Sequence, residues 1–258
     1  MIRHLFFDWG NTLMPVFPEY ESAMCTWPQV FAMPDAREVL AVLNQNYVCR
    51  IATNAGDSQA AQVREALARV DLAEFIANIF TSREIGLNKT NPRFYDNLAK
   101  MVNADPADLI MIGDDYMQDV QSAYQAGWKT VWFNEKREAC PAIHPMQDGE
   151  INHLLYLPEV LVLGFWPGLD QCQAWMDKYE LPENICAHSR AVASYAYRLA
   201  VHLRYQGMNI DPLLIHRAAL LHDLDKLQTD RAQAHGSLAA KIMLSKGFPE
   251  IASIVQAM

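Results

Sequence analysis

The chain has 258 residues, 51% of them hydrophobic and 20% charged, which is enough apolar material for a packed core and excludes a disordered polymer. Its formal net charge of -9 speaks against an extended nucleic-acid surface, which works by massing Lys and Arg against phosphates; a small phosphorylated ligand can still be met locally. Cys25, Cys49, Cys140, Cys172 and Cys186 are odd in number and form no CxxC pair, so reduced structural thiols are expected.

Ile2 to Phe7 is a short apolar run closed by Asp8, Gly10 and Asn11, the pattern of a buried strand. Ala36 to Asn44 has helical spacing, Tyr47 to Ala52 is a second strand ending at Thr53 and Asn54, and Ser58 to Arg69 is an alanine-rich helix. Ile79 and Phe80 form a short strand, and Pro92 opens a helix to about Met101. Leu109 to Ile112 is a strand, Asp119 to Ala126 a helix stopped by Gly127, and Thr130 to Phe133 a further strand. Strand and helix alternate, which predicts an α/β fold: a doubly wound parallel sheet with Asp8, Thr53 and Asp114 at carboxyl ends of strands, where ligands bind.

From Leu169 onward the periodicity is helical: Asp170 to Lys178, Ala187 to Arg204, Pro212 to His222, Gly236 to Ser245, and Pro249 to the end. Gly164, Pro167 and Gly168 read as a linker, so two domains are expected, 1–163 and a smaller all-α domain over 169–258. The N-terminal run reaches Asp8 too soon for a signal peptide, and the apolar stretch Leu154 to Trp166 is interrupted by Pro158 and Glu159 and too short to span a bilayer. A soluble cytoplasmic protein without a membrane partner is expected; the oligomeric state is not legible.

In FFDWGNTL, residues 6 to 13, Asp8 sits just past a strand; in MIGDDYMQD, residues 111 to 119, Asp114, Asp115 and Asp119 do the same. Clustered carboxylates repel unless a cation neutralises them, and a hard divalent ion suits oxygen ligands, so magnesium is expected rather than zinc. Together with RIATNAG around Thr53 and IGLNKTNPRFY around Lys89, these segments resemble the haloacid dehalogenase superfamily over roughly residues 1 to 160. The resemblance implies a phosphatase in which Asp8 attacks phosphorus and becomes an aspartyl-phosphate, with Thr53 and Lys89 on the transferring group. It also implies magnesium held by Asp8, the backbone carbonyl of Gly10, Asp114 and Asp119. The departure is Gly10 itself, where most phosphatases of this superfamily carry a second Asp as general acid and base; His144 is one residue that could stand in. Only about 20 residues, Met14 to Met33, separate the first motif from the next helix, so the cap is minimal and the crevice open, suiting a larger substrate or closure by the second domain.

In the second domain, LLHDLDKL, residues 220 to 227, puts His222 beside Asp223 at a helix end, with His188 on an earlier helix. Imidazole and carboxylate are competent ligands for a metal that activates water. HSRAVASYAYRLA from His188, followed by AALLHDLDK, resembles the HD superfamily of metal-dependent phosphohydrolases. That resemblance implies His188, His222 and Asp223 as metal ligands, His235 as a ligand to a second ion, Lys226 facing substrate phosphate, and Mn²⁺ or another divalent metal in the helical domain. The superfamily's final Asp has no counterpart before Met258, so this domain is expected to be C-terminally incomplete. The two resemblances imply a magnesium-dependent phosphohydrolase for a small phosphorylated metabolite or nucleotide, with a second phosphohydrolase or lid role for the helical domain. The alternative is a catalytically weak binding or regulatory protein.

Overall fold

A computed structural model describes residues 2–228 and 236–257, which fall into two compact units: Met1–Lys136 with Gln147–Gly164, and Arg137–Met146 with Phe165–Met258. Arg137–Met146 groups with the second unit although the sequence assigns it to the span of the first domain.

The first unit is built on six strands, β1 (His4–Phe7), β2 (Val48–Thr53), β3 (Asn78–Thr81), β4 (Leu109–Gly113), β5 (Lys129–Phe133) and β6 (Gly149–Ile151), in the order β3-β2-β1-β4-β5-β6. Every pairing is parallel. Its helices are α1 (Ala36–Leu43), α2 (Ala60–Ala68), α3 (Ser82–Ile85), α4 (Arg93–Val102), α5 (Ser122–Gln125) and α6 (Leu157–Leu163). Parallel strands covered on both faces must be apolar throughout, which is why Leu5, Phe6 and Phe7 are fully buried and β4 is buried along its length. On one face Phe6 meets Trp128 at a centroid distance of 4.8 Å and Trp128 meets Tyr95 of α4 at 5.2 Å. β1 lies between β2 and β4, where the order of connection reverses, so the polar residue that follows it opens into the crevice of the sheet.

The sheet class and its five expected strands are present; β6 is an addition, a three-residue edge strand with too little alternation to be seen in sequence. A second difference bears on the site. Instead of a plain helix over Asp119 to Ala126, the chain makes a π-helical turn over Tyr116–Gln121 and then enters α5. Such wide turns are rare and gather at functional positions.

The second unit contains α7 (Leu169–Lys178), α8 (Glu183–Tyr205), α9 (Pro212–Leu221), α10 (Ser237–Ser245) and α11 (Pro249–Ala257) around a core that includes Cys172, Met176, Leu221, Met243 and Ile251. Asp211 opens α9 by accepting the N–H groups of Leu213 and Leu214 ahead of Pro212. All five cysteines are buried and none forms a disulfide. Among the described residues no helix is long and apolar enough to cross a membrane.

Candidate functional site

β1 delivers Asp8 to the crevice, and its backbone is fixed there by donation from the Asp8 N–H to Ile112 O at 2.8 Å. The chain then turns back through Asn11, which adopts the left-handed region (φ 55°), a conformation Asn tolerates better than most residues. β2 ends at Thr53, whose hydroxyl accepts the N–H of Ala55 at 3.3 Å. Lys89 lies in the segment after α3, and Asn54 holds it there by accepting the Lys89 backbone N–H at 2.8 Å.

Around Asp8 the four motifs converge. Lys89 Nζ donates to Asp8 Oδ1 at 2.5 Å and to Asp119 Oδ1 at 2.6 Å, with the lysine side chain only 3% exposed. The other oxygen of Asp119 accepts the Asp115 N–H at 3.1 Å. Asp119 reaches inward because the π turn is held open: Asp115 caps it by accepting from the N–H groups of Met117 and Gln118, and Tyr95 donates its hydroxyl to Gln118 O at 2.7 Å. Gly113 makes the space, since a Cβ there would lie 2.2 Å from Asp119 Oδ2. Asp114 accepts from Thr12 Oγ1 at 3.1 Å, and its carbonyl accepts from the Trp132 indole at 3.0 Å.

Asp8, Asp114 and Asp119 each offer an oxygen, all within 4.8 Å of one another. One buried lysine cannot balance three carboxylates. Burial, reinforced by the charge on Asp8, pushes Asp114 up to about 6. Burial also raises Asp119, with Asp8 adding to the shift and Lys89 opposing it. Lys89 itself stays charged: burial disfavours the ammonium, and Asp119 and Asp8 outweigh that, so its pKa rises. The excess negative charge is the condition under which a hard divalent cation binds. Asp8, Lys89 and Asp114 line a cavity of about 390 Å³ together with Trp9, Tyr20, Met24 and Trp27, with Asp119 buried behind them.

The second unit brings together His188, His222 and Asp223, with ligand atoms again within 4.8 Å. His188 Nε2 lies 4.0 Å and His222 Nε2 3.6 Å from Asp223 Oδ2. His222 Nδ1 lies 2.8 Å from Ala219 O; donating there leaves Nε2 with its lone pair toward Asp223, the tautomer a metal requires. Lys226 Nζ sits 3.0 Å from Asp223 Oδ1, and Asp225 accepts the N–H groups of Leu238 and Ala239 at the start of α10. His235 lies outside the described residues.

The sequence pattern of the haloacid dehalogenase-like hydrolase family matches residues 11–127, and that of the HD domain matches residues 185–258. The chain thus carries a segment similar to haloacid dehalogenase-like hydrolases followed by a segment similar to HD domains. Over 102 residues the hydrolase domain is 31% identical to a glyceraldehyde 3-phosphate phosphatase of Pyrococcus furiosus, spanning 39% of this chain and 41% of the relative. It is 31% identical over 83 residues to a phosphoserine phosphatase of Thermus thermophilus, spanning 30% of this chain and 33% of that one. The chain thus spans less than half the length of these curated relatives. A solved structure of an uncharacterized protein from Listeria monocytogenes serotype 4b shares the fold, with a TM-score of 0.57 and 22% identity over 63% of this chain and 98% of that one.

Several residues that shape the hydrolase site carry no sequence signal of their own. Asn54 could be noticed as a polar residue directly after a strand, whereas Tyr95 and Trp132 act through hydrogen bonds that only the fold creates. His144, a potential proton partner by sequence, has its Nδ1 3.1 Å from His216 Nε2 inside the second unit.

Proposed function

We propose that the hydrolase domain cleaves a phosphomonoester through Asp8, and the single observation that supports this most strongly is that Lys89, which bridges Asp8 and the buried Asp119, lines one cavity with Asp8, Thr53 and Asp114. Relatives named as phosphatases at about a third identity point the same way. Asp8 attacks phosphorus in line, the alcohol leaves, and water then cleaves the resulting aspartyl-phosphate. Thr53 Oγ1 and Lys89 Nζ neutralise the equatorial oxygens as charge builds, a contribution of about 3 kcal/mol for one well-placed donor. Asp119, with both oxygens engaged by Lys89 and the Asp115 N–H, positions Lys89.

Asp8, Asp114 and the Gly10 carbonyl would hold magnesium, with Asp119 reaching it directly or through water; the raised Asp114 fits a group whose natural counter-charge is a cation. When bound, the ion supplies Lewis-acid polarisation of the phosphoryl oxygens. The HD domain would hold Mn²⁺ or another divalent ion on His188, His222 and Asp223 and serve as a second phosphohydrolase centre, with Lys226 toward phosphate.

Gly10 favours a second reading, a slow enzyme or a binding and regulatory protein, because no side chain there can exchange a proton. Turnover of a phosphomonoester panel by the full chain with magnesium or manganese separates the two. Hydrolysis abolished by Asp8→Asn, with circular dichroism unchanged, is the expected result. Absence of turnover across the panel favours the binding reading.

A further inference from the structure

The segment between the first motif and α1 does more than shorten the cap. Tyr20 and Trp27 pack at a centroid distance of 4.9 Å, and Phe17 backs them at 6.3 and 6.1 Å. This wall is braced: the Trp27 indole N–H donates to Ser22 O at 2.6 Å, and Arg69 Nη1 donates to the carbonyls of Trp27 at 2.7 Å and Cys25 at 2.9 Å. Tyr20, Met24 and Trp27 line the cavity that holds Asp8, giving it an apolar and aromatic side opposite in character to its carboxylates.

The charges at the cavity are equally one-sided. Lys89 is the one Lys, Arg or His among its lining residues, and it is already engaged by Asp8 and Asp119. Glu21 and Asp57, both exposed, add negative charge to the lining, and a cation held on Asp8 and Asp114 would leave that charge in place, with Arg83, outside the lining, donating to the Asp57 carbonyl at 3.0 Å. A second anionic group on a substrate would meet like charge and no partner. Aromatic side chains offer large contact area to a flat group and little to a small polyol.

We propose that this site takes phosphomonoesters whose alcohol part presents a flat apolar face and carries no negative charge, a class that includes aryl phosphates and nucleoside monophosphates and excludes phosphorylated acids and bisphosphates. The volume of about 390 Å³ suits a phosphate with one ring system, near the small end of the roughly 300–1,000 Å³ range of ligand pockets. The inference rests on phosphate being received at Asp8, so its test reads binding apart from turnover.

Calorimetry on the full chain with magnesium would compare 4-carbamoylbenzylphosphonate with the isosteric 4-carboxybenzylphosphonate, and both with glycerol 3-phosphonate. The neutral aryl compound is expected to bind about tenfold tighter than the carboxylate, the size of effect one or two exposed like charges produce. Glu21→Gln with Asp57→Asn, both on the surface, is expected to close most of that gap. Tyr20→Ala is expected to remove most of the aryl advantage over the glycerol analogue, while the charge discrimination stays. Equal affinity of the isosteric pair, an unchanged gap in the double variant, or no binding of any phosphonate would overturn the proposal. Discrimination in binding without hydrolysis of the corresponding phosphate esters would sink the catalytic reading and leave this one standing.

Discussion

At Gly10 the side chain that could exchange a proton beside Asp8 is missing. The superfamily's usual acid at this position would protonate the leaving alcohol and later deprotonate the attacking water, and general acid–base help of this kind is typically worth about 10²- to 10⁴-fold. Space for it exists at modest cost: a Cβ at Gly10 would lie 2.8 Å from Val16 Cγ2, the tip of a partly exposed side chain that can move. Gly10→Asp is therefore expected to raise phosphatase turnover at least tenfold on substrates with poor leaving groups, measured by steady-state phosphate release. Unchanged turnover would mean that another group already moves the proton.

At the scale of elements, strands that end in a polar residue were legible and elements shaped by tertiary contacts were not. β1, β2 and β4 can be read because an apolar run stops at Asp8, Thr53 and Gly113, and three of the four motifs sit on those ends, the fourth, around Lys89, following α3. The π turn at Tyr116–Gln121 cannot, because it depends on the Tyr95 hydroxyl from α4 and on the space left by Gly113. The same holds for the aromatic wall over Asp8, where the sequence gives a length of loop and not its packing. In the second unit, α9 buries a network without any local signature: Arg217 Nη1 donates to His216 Nδ1 at 2.8 Å, and its Nε and Nη2 donate to the carbonyls of Pro167 and Pro145. His216 is fully buried, and burial first, then the Arg217 charge, holds its pKa down to about 2. A depressed pKa contributes stability that is complete above the unfolded value of about 6.5 and is lost as pH falls toward the folded value. Urea unfolding of the helical unit is accordingly expected to weaken by about 2 kcal/mol between pH 6.5 and 5, and His216→Gln is expected to flatten that slope whatever its effect at pH 7. A slope that persists in the variant would assign the acid sensitivity elsewhere.

At the scale of the whole molecule, the proposed function predicts two separate cation-binding events, one for each of the two clusters found among the described residues. Calorimetric titration with manganese is expected to show both. Asp223→Asn should remove the event belonging to the helical unit and leave the other intact. Asp114 must be ionised to bind a cation, and its pKa stands at about 6, so the event in the hydrolase unit is expected to weaken about tenfold per pH unit below that value and to be insensitive above it. A single event abolished by Asp223→Asn would contradict a metal site at Asp8 and Asp114.

In the proposed reaction Asp8 takes the phosphoryl group. With no side chain at Gly10 to activate water, cleavage of the aspartyl-phosphate should be slow relative to its formation from an aryl phosphate whose phenolate departs without needing a proton, so the intermediate should accumulate during turnover of such a phosphomonoester. Acid quenching of the full chain mixed with magnesium and a phosphomonoester, followed by mass spectrometry of the peptide containing Asp8, reads this directly. The expected result is one added phosphoryl group on Asp8, absent in Asp8→Asn, which should also lose turnover. Turnover that survives Asp8→Asn with no phosphoryl group on that peptide would contradict the account.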